Sequence, residues 1–241
     1  MKERLDVWMV ARGLAESRTK AQALIMAGEV FVDGQKAVKP GQATGVGTRV
    51  EVASRLKYVG RGGFKLEGGL EHFRIDVTGA ICADFGSSTG GFTDCLLQKG
   101  AVRVHAIDVG TNQLDWRLRN DPRVVAREGV NARHLLPDDL DEKVDIAVCD
   151  VSFISATLIV PAMAGVLKPN GCMVVLVKPQ FEVGRDLVGK GGIVREPELH
   201  EAACAKLRDC VGNLGFETDI MESPITGAEG NKEFLLYARR K

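Results

Sequence analysis

Two strand-like runs in this chain end on opposite charges. "VDIAVCD" closes on Asp150, and "CMVVLVKPQFE" carries six apolar residues straight into Lys178 before Pro179 stops the run. In an open parallel sheet, side chains at the carboxyl ends of strands face the crevice where ligands bind. Two further candidates accompany them: Lys65 in "RGGFKLEGGL", on a helix before the sheet, and Glu233 in "EGNKEFLLYARR", at the start of the last strand. Taken alone, Lys178 reads as a surface lysine paired with Asp150, because lysines are mostly exposed. A third strand end is different in kind. "ADFGSSTGGFTDCLLQKG" is strand, Gly-rich turn and helix, so backbone amides and a helix N-terminus can approach a ligand. It lacks both the G-x-G-x-x-G dinucleotide fingerprint and the G-K-[ST] of a P-loop. Asp108 closes "HAID", where a carboxylate can accept both hydroxyls of a ribose.

These side chains need a scaffold, and the hydrophobic pattern supplies one. From residue 80 the apolar runs "AICADF", "VRVHAID", "RVVAR", "VDIAVCD" and "GCMVVLVK" recur with helical segments between them, followed later by "FETDI" and "FLLYAR". Strands that are nearly continuous in apolar residues predict a parallel sheet covered on both faces, a doubly wound α/β domain. The uncharged stretch 151–167 reaches the low end of membrane-span length, but its Ser and Thr residues and central Pro161 predict a strand exit and a buried helix.

The front of the chain is patterned differently. Leu5, Trp8 and Met9 fall at helical spacing; Ser17 can cap a second helix through Ala21, Leu24 and Ile25; and "EVFVDGQKAV" predicts a hairpin around Asp33-Gly34. The net charge of the whole chain is zero, yet residues 1–60 hold ten Lys/Arg against six Asp/Glu. That asymmetry predicts a basic module attached to a near-neutral domain. The stretch from "ERLDVW" to "QKAVKPG" resembles an S4-type RNA-binding domain. The resemblance implies that Arg4, Arg18, Lys20, Lys36 and Lys39 meet RNA phosphates, which would make binding salt-dependent. The domain is expected over 1–60, with a basic, Gly-ended linker at 53–60 and a second domain over 61–241.

With "REGVNAR" after the third strand and "CDVSF" after the fourth, the body of the chain resembles the Rossmann-like fold of S-adenosylmethionine-dependent methyltransferases. The resemblance implies that Gly86, Ser88, Thr89 and Gly90 flank the methionine and sulfonium part, that Asp108 binds ribose, and that Glu128, Gly129 or Asn131 lies near adenine. Lys65, Asp150, Lys178 and Glu233 are similar to the Lys-Asp-Lys-Glu tetrad of FtsJ-like ribose 2'-O-methyltransferases. Together with "STGGFTDCLLQKGA", "VKPQFEVGR" and the S4 front end, they identify the chain as a member of the hemolysin A, or TlyA, family. That membership implies a ribosomal RNA substrate, cytidine in 16S rRNA, 23S rRNA or both, and RNA or ribosomal subunits as partners in the cytoplasm. A ribose 2'-hydroxyl is a poor nucleophile that must lose or share its proton. A cation close to Lys178 favours its neutral form and makes it a usable base; Lys65 is the candidate cation, Asp150 the orienting group, and Glu233 the holder of Lys65. Arg185 and Lys190, in the Gly-rich "EVGRDLVGKGGIVRE", are expected to meet RNA phosphates as that segment closes over the site.

Other classes fit less well. A pore-forming hemolysin would need a barrel-like alternation or long apolar spans. An RNA-binding module with an inactive methyltransferase domain is opposed by the intact tetrad. "DVSF" stands where exocyclic-amine methyltransferases carry "[DN]PP[YF]", and no second "RLD"-type motif of a pseudouridine synthase is found. The six cysteines show no C-x-x-C pairing and read as small core residues of a reduced protein, without a metal site.

Overall fold

A computed structural model describes residues 3–33, 35–45, 47–52, 57–227 and 230–240. The chain divides into two compact units, Met1–Leu56 and Lys57–Lys241. Gly34 of the expected hairpin and residues 53–56 of the expected linker lie outside the described residues. Lys57 to Gly60, expected in the linker, belong to the second unit, where Tyr58 is buried against Gly63.

The first unit holds β1 (Glu3–Arg4), α1 (Leu5–Ala11), α2 (Arg18–Met26), β2 (Val30–Val32), β3 (Gln35–Lys36), β4 (Ala43–Thr44) and β5 (Val50–Val52). Ser17 caps α2, its side chain accepting from the Lys20 amide at 3.2 Å. β2 lies between β3 and β5, antiparallel to both. Asp33 takes φ +50° at the turn and its carboxylate accepts from the Arg49 amide at 2.9 Å, tying the hairpin to β5. Leu5, Met9, Ile25 and Val30 form the centre of the core.

The second unit holds α3 (Gly62–His72), β6 (Ile81–Phe85), α4 (Gly91–Gln98), β7 (Arg103–Asp108), α5 (Trp116–Arg119), β8 (Val124–Glu128), β9 (Val144–Cys149), α6 (Val160–Val166), β10 (Leu167–Val177), α7 (Pro179–Glu182), α8 (Pro197–Asn213), β11 (Phe216–Glu222) and β12 (Phe234–Arg240). They build one seven-stranded sheet in the order β11-β12-β10-β9-β6-β7-β8. The five strands from β10 to β8 are parallel, and β12 and β11 add antiparallel at one edge. β10 shows why its sequence does not alternate. Met173, Val175 and Val177 enter the core that contains α6 and α8, while Val174 and Leu176 enter the core that contains α3 and α4. From Met173 to Val177 every side chain is buried, so every position there is apolar.

The expected alternation of strand and helix is incomplete. Between β8 and β9 the chain makes two 3-10 turns, Ala132–His134 and Pro137–Asp139, instead of a helix. The side chains of Asn131 and Asp139 accept the Arg133 and Leu136 amides there, competing with helical bonding. Among the described residues, no helix is long and apolar enough to cross a membrane.

Candidate active site

The strand order brings the carboxyl ends of β6, β7, β9 and β10 to one edge; β7, β9 and β10 deliver Asp108, Asp150 and Lys178 there, and β6 a glycine turn. β6 turns through Gly86 at φ +83°, where a Cβ would stand 2.7 Å from the Asp150 carbonyl oxygen. Only glycine permits β6 and β9 to exit this close together. Beyond this turn, the chain enters α4 through Gly90, at φ +98°.

A cavity of about 510 Å³ opens at this edge, lined by Gly86, Ser88, Asp108, Asn131 and Asp150 among others. The Asp108 carboxylate is fixed from two sides. Oδ2 accepts from the Ser88 amide and Oδ1 from the Gly110 amide, each at 2.7 Å. Each oxygen keeps a free lone pair, which suits a vicinal diol. Ile107, Val109, Val130, Ile154 and Ile159 supply an apolar wall for a flat ring. A smaller polar pocket, about 170 Å³, lies beside it, with Gly60, Arg61, Gly62 and Thr89 in its lining. Diol acceptor, apolar slot and glycine turn together fit a nucleoside cofactor.

A third cavity, about 390 Å³, is lined by Lys65, Ser152, Phe153, Lys178, Gln180, Asn231 and Glu233 among others. α3 brings Lys65 to it and β12 follows directly on Glu233. Lys65 Nζ donates to Glu233 Oε2, and both side chains are buried. Lys178 Nζ lies 2.6 Å from Asp150 Oδ1 and donates to Ser152 Oγ at 2.8 Å. Only 11% of the Lys178 side chain is exposed, so Nζ is held against the site and not in bulk water. Each lysine therefore has its own carboxylate. Ser152 lines all three cavities, and Asp150 and Lys178 stand where they meet.

Beneath this junction Asp84 of β6 is fully buried. Burial pushes its carboxyl up to about 7; the Thr93 hydroxyl, 2.6 Å from Oδ2, works against the shift and nearby Asp150 adds to it.

Gly86, Ser88, Thr89, Asp108 and Asn131 line these cavities, but two cofactor candidates stand elsewhere. Gly90 packs against Leu114 and Leu118, where a Cβ would meet a Leu118 methyl at 2.2 Å. Glu128 pairs with Arg119 at 2.5 Å and does not line the cavity. Asn131 lines it while also capping the following turn.

The segment expected to be a flexible closing loop is built of two 3-10 turns, Arg185–Leu187 and Lys190–Gly192. Asn231 straps it down, accepting from the Val194 amide and donating to the Gly192 carbonyl, each at 2.9 Å. Arg185 and Lys190 are exposed on it. Ser152, Phe153, Gln180 and Asn231 were not singled out in the sequence. Phe153 signals itself only through its backbone, at φ +66°, with a ring that is 92% exposed.

In the first unit, Lys20, Lys36 and Lys39 are exposed. Arg4 and Arg18 instead converge on Asp6. Arg4 contacts it through Nε and a terminal nitrogen and Arg18 through Nε, all at 3.0 Å, with Gln22 at 2.7 Å. Asp6 is fully buried, whereas each arginine side chain is about half exposed.

Residues 58–240 match the FtsJ-like methyltransferase family and residues 3–50 the S4 domain. The chain belongs to the FtsJ-like methyltransferase family. It is therefore a two-part methyltransferase-family protein with an S4 domain in front. It is 46% identical to the 16S/23S rRNA (cytidine-2'-O)-methyltransferase TlyA of Mycobacterium tuberculosis, covering 98% of this chain and 89% of that one. It is 45% identical to Hemolysin A of Brachyspira hyodysenteriae, covering 97% of this chain and 98% of that one. Among solved structures, a protein of Streptococcus thermophilus bearing the name of a hemolysin is 44% identical. It has a TM-score of 0.76 and covers 100% of this chain and 89% of that one.

Proposed function

We propose that this protein is an S-adenosylmethionine-dependent ribose 2'-O-methyltransferase of ribosomal RNA, acting on cytidine in 16S rRNA, 23S rRNA or both. The observation that carries the reading is the junction of cavities. A nucleoside-fitting cavity and a second, lysine-lined cavity share Ser152, with the Lys178–Asp150 pair at the meeting point. A cofactor in the first and a substrate ribose in the second would meet at that pair. The relative of Mycobacterium tuberculosis named for this reaction supports the substrate class.

S-adenosylmethionine, when bound, supplies an electrophilic methyl group. Asp108 accepts from the cofactor ribose, and Gly86, Ser88 and Thr89 line the space for its amino-acid end. Lys178, in its neutral amine form, takes the proton of the substrate 2'-hydroxyl, held at its station by Asp150 and Ser152. Lys65 and Glu233 form the opposite wall and orient the incoming ribose, so that positioning supplies much of the rate. The first unit binds RNA through Lys20, Lys36, Lys39 and the exposed edges of Arg4 and Arg18. The second unit, from Lys57 on, carries the chemistry, with Arg185 and Lys190 on its RNA-facing side. Such a substrate places the protein in the cytoplasm.

The test is to incubate ribosomal subunits and radiolabelled S-adenosylmethionine with wild type and with Lys178→Ala, then digest the RNA. Label on a ribose 2'-oxygen, falling about 10³-fold in the variant, is the expected outcome. No transfer to either subunit, despite measurable cofactor binding, would reject the substrate assignment.

A further inference from the structure

Asp150 and Lys178 sit on two loops that leave neighbouring strands, and their spacing has to be fixed by something other than their own ion pair. The loop after β9 runs from Asp150 to a 3-10 turn at Ala156–Leu158; the segment after β10 is α7, with Lys178 as its N-cap and Glu182 as its last residue. Pro179 fixes the first backbone torsion of that turn, and the Phe181 amide bonds back to the Lys178 carbonyl at 2.9 Å. Lys178 and Glu182 therefore ride on one short rigid piece.

Glu182 reaches across to the other loop. Its carboxylate accepts from Ser155 Oγ at 2.5 Å and from the Ala156 amide at 2.7 Å, at the start of the 3-10 turn. Lys206 of α8 completes the arrangement, 3.2 Å from the carboxylate and 2.7 Å from the Glu182 carbonyl oxygen. Only 2% of the Glu182 side chain is exposed. A buried carboxylate with three donors is costly to disturb. The loops are thus joined at two rungs: Lys178 with Asp150 and Ser152 at the site, and Glu182 with Ser155 and Ala156 behind it.

We propose that Glu182 is a positioning residue for methyl transfer: by pinning α7 to the loop after β9, it sets the station of Lys178 relative to Asp150 and Ser152. The inference rests on the ribose-methylation reading above. Glu182 lines neither of the two larger cavities and acts on the site only through the two segments it joins, so its main effect falls on rate.

Three quantities test this in the full-length protein: the rate of methyl transfer at saturating cofactor and ribosomal subunit, the cofactor Kd by calorimetry, and Tm. Glu182→Ala is expected to lower the saturated rate about 10- to 100-fold, the scale of a displaced catalytic group, with Kd within about twofold of wild type. Glu182→Gln keeps acceptor geometry toward Ala156 and is expected to recover the rate to within about threefold of wild type. Should Glu182→Ala fail to fold, Ser155→Ala removes a single donor and is expected to slow the saturated rate about threefold with unchanged Kd. A wild-type rate in Glu182→Ala, or in Ser155→Ala where that substitutes for it, overturns the proposal. So does a loss of cofactor affinity that matches the loss of rate, or a Glu182→Gln rate no better than that of Glu182→Ala. Absence of ribose methylation by the wild-type protein would instead sink the functional reading beneath it.

Discussion

Among the described residues, Asp6 in the first unit and Asp84 in the second are the carboxyls with no exposure at all, and the two meet opposite fates. Asp6, in the first unit, accepts hydrogen bonds from Arg4, Arg18 and Gln22. The Arg4 guanidinium holds its carboxyl well below the usual range; burial opposes this, and Gln22 and Arg18 add to it. Asp84, in the second unit, has the Thr93 hydroxyl on one oxygen and no hydrogen-bond partner on the other among the described residues. Burial prevails there, and the carboxyl rises to about 7. Depth alone does not decide the charge of a buried acid; the count of donors turned toward it does. Glu233 is buried against a single cation, Lys65, among the described residues, and that makes it the most exposed to loss of a partner.

The largest effect should come from breaking that single partnership. Lys65→Ala leaves the buried Glu233 carboxylate unpaired, at an expected cost of about 3–5 kcal/mol in urea unfolding of the second unit. Replacing both, as Lys65→Met with Glu233→Leu, should restore most of the stability while methyl transfer stays lost. If the single variant unfolds with the wild type, the pair is not a buried charge pair in the working protein. Asp6→Ala comes next, at about 2–3 kcal/mol for the first unit, since two of its donors are half exposed and regain water. Because the folded carboxyl sits low, its contribution is present above about pH 3.9 and fades as pH falls below that value. A first unit that keeps its stability down to pH 2.5 would contradict this sign. Asp84 should behave in the reverse sense. Its raised carboxyl contributes stability fully below about pH 3.9, and this is lost as pH rises through about 7. Asp84→Asn should flatten that decline and gain on the order of 2 kcal/mol at pH 8, after allowance for relaxation and water entry. A variant less stable than wild type at pH 8 would mean that Asp84 works as a carboxylate.

How much of this was legible in the sequence follows from the same distinction. Strand ends announced themselves, because an apolar run terminated by Asp108, Asp150 or Lys178 is a local pattern. So did the doubly covered sheet, which demands apolar side chains on both faces of β10. The two-part organisation of the chain emerged from charge asymmetry and helical spacing near its start. What stayed hidden was pairing across long separations. Asp6 entered only a count of acids, and nothing in "RLDVW" shows that Arg18 and Gln22 return to it one helix later. Nothing in the residues next to Glu182 or Asn231 marks them as buried, and their burial is set by elements far away in the chain. The crossover between β8 and β9 was misread as helical because side-chain caps from Asn131 and Asp139 outweigh its apolar residues.

The smallest predicted effect separates structural from RNA-facing cations within the first unit. Lys20 is exposed, and its side chain has no ion pair among the described residues. Removal of one phosphate contact lowers the slope of log affinity against log salt by about 1, with little change in stability. Lys20→Ala should do that alone when binding to ribosomal RNA is measured across a salt series. Arg18 has an outer edge in solvent and an inner nitrogen on Asp6, so Arg18→Ala should lower both the slope and the Tm. If Lys20→Ala leaves the slope untouched while Arg18→Ala lowers it, then the RNA lies along the edge organised by Asp6. The buried acid that looks purely structural would in that case be what aligns the arginines for phosphate.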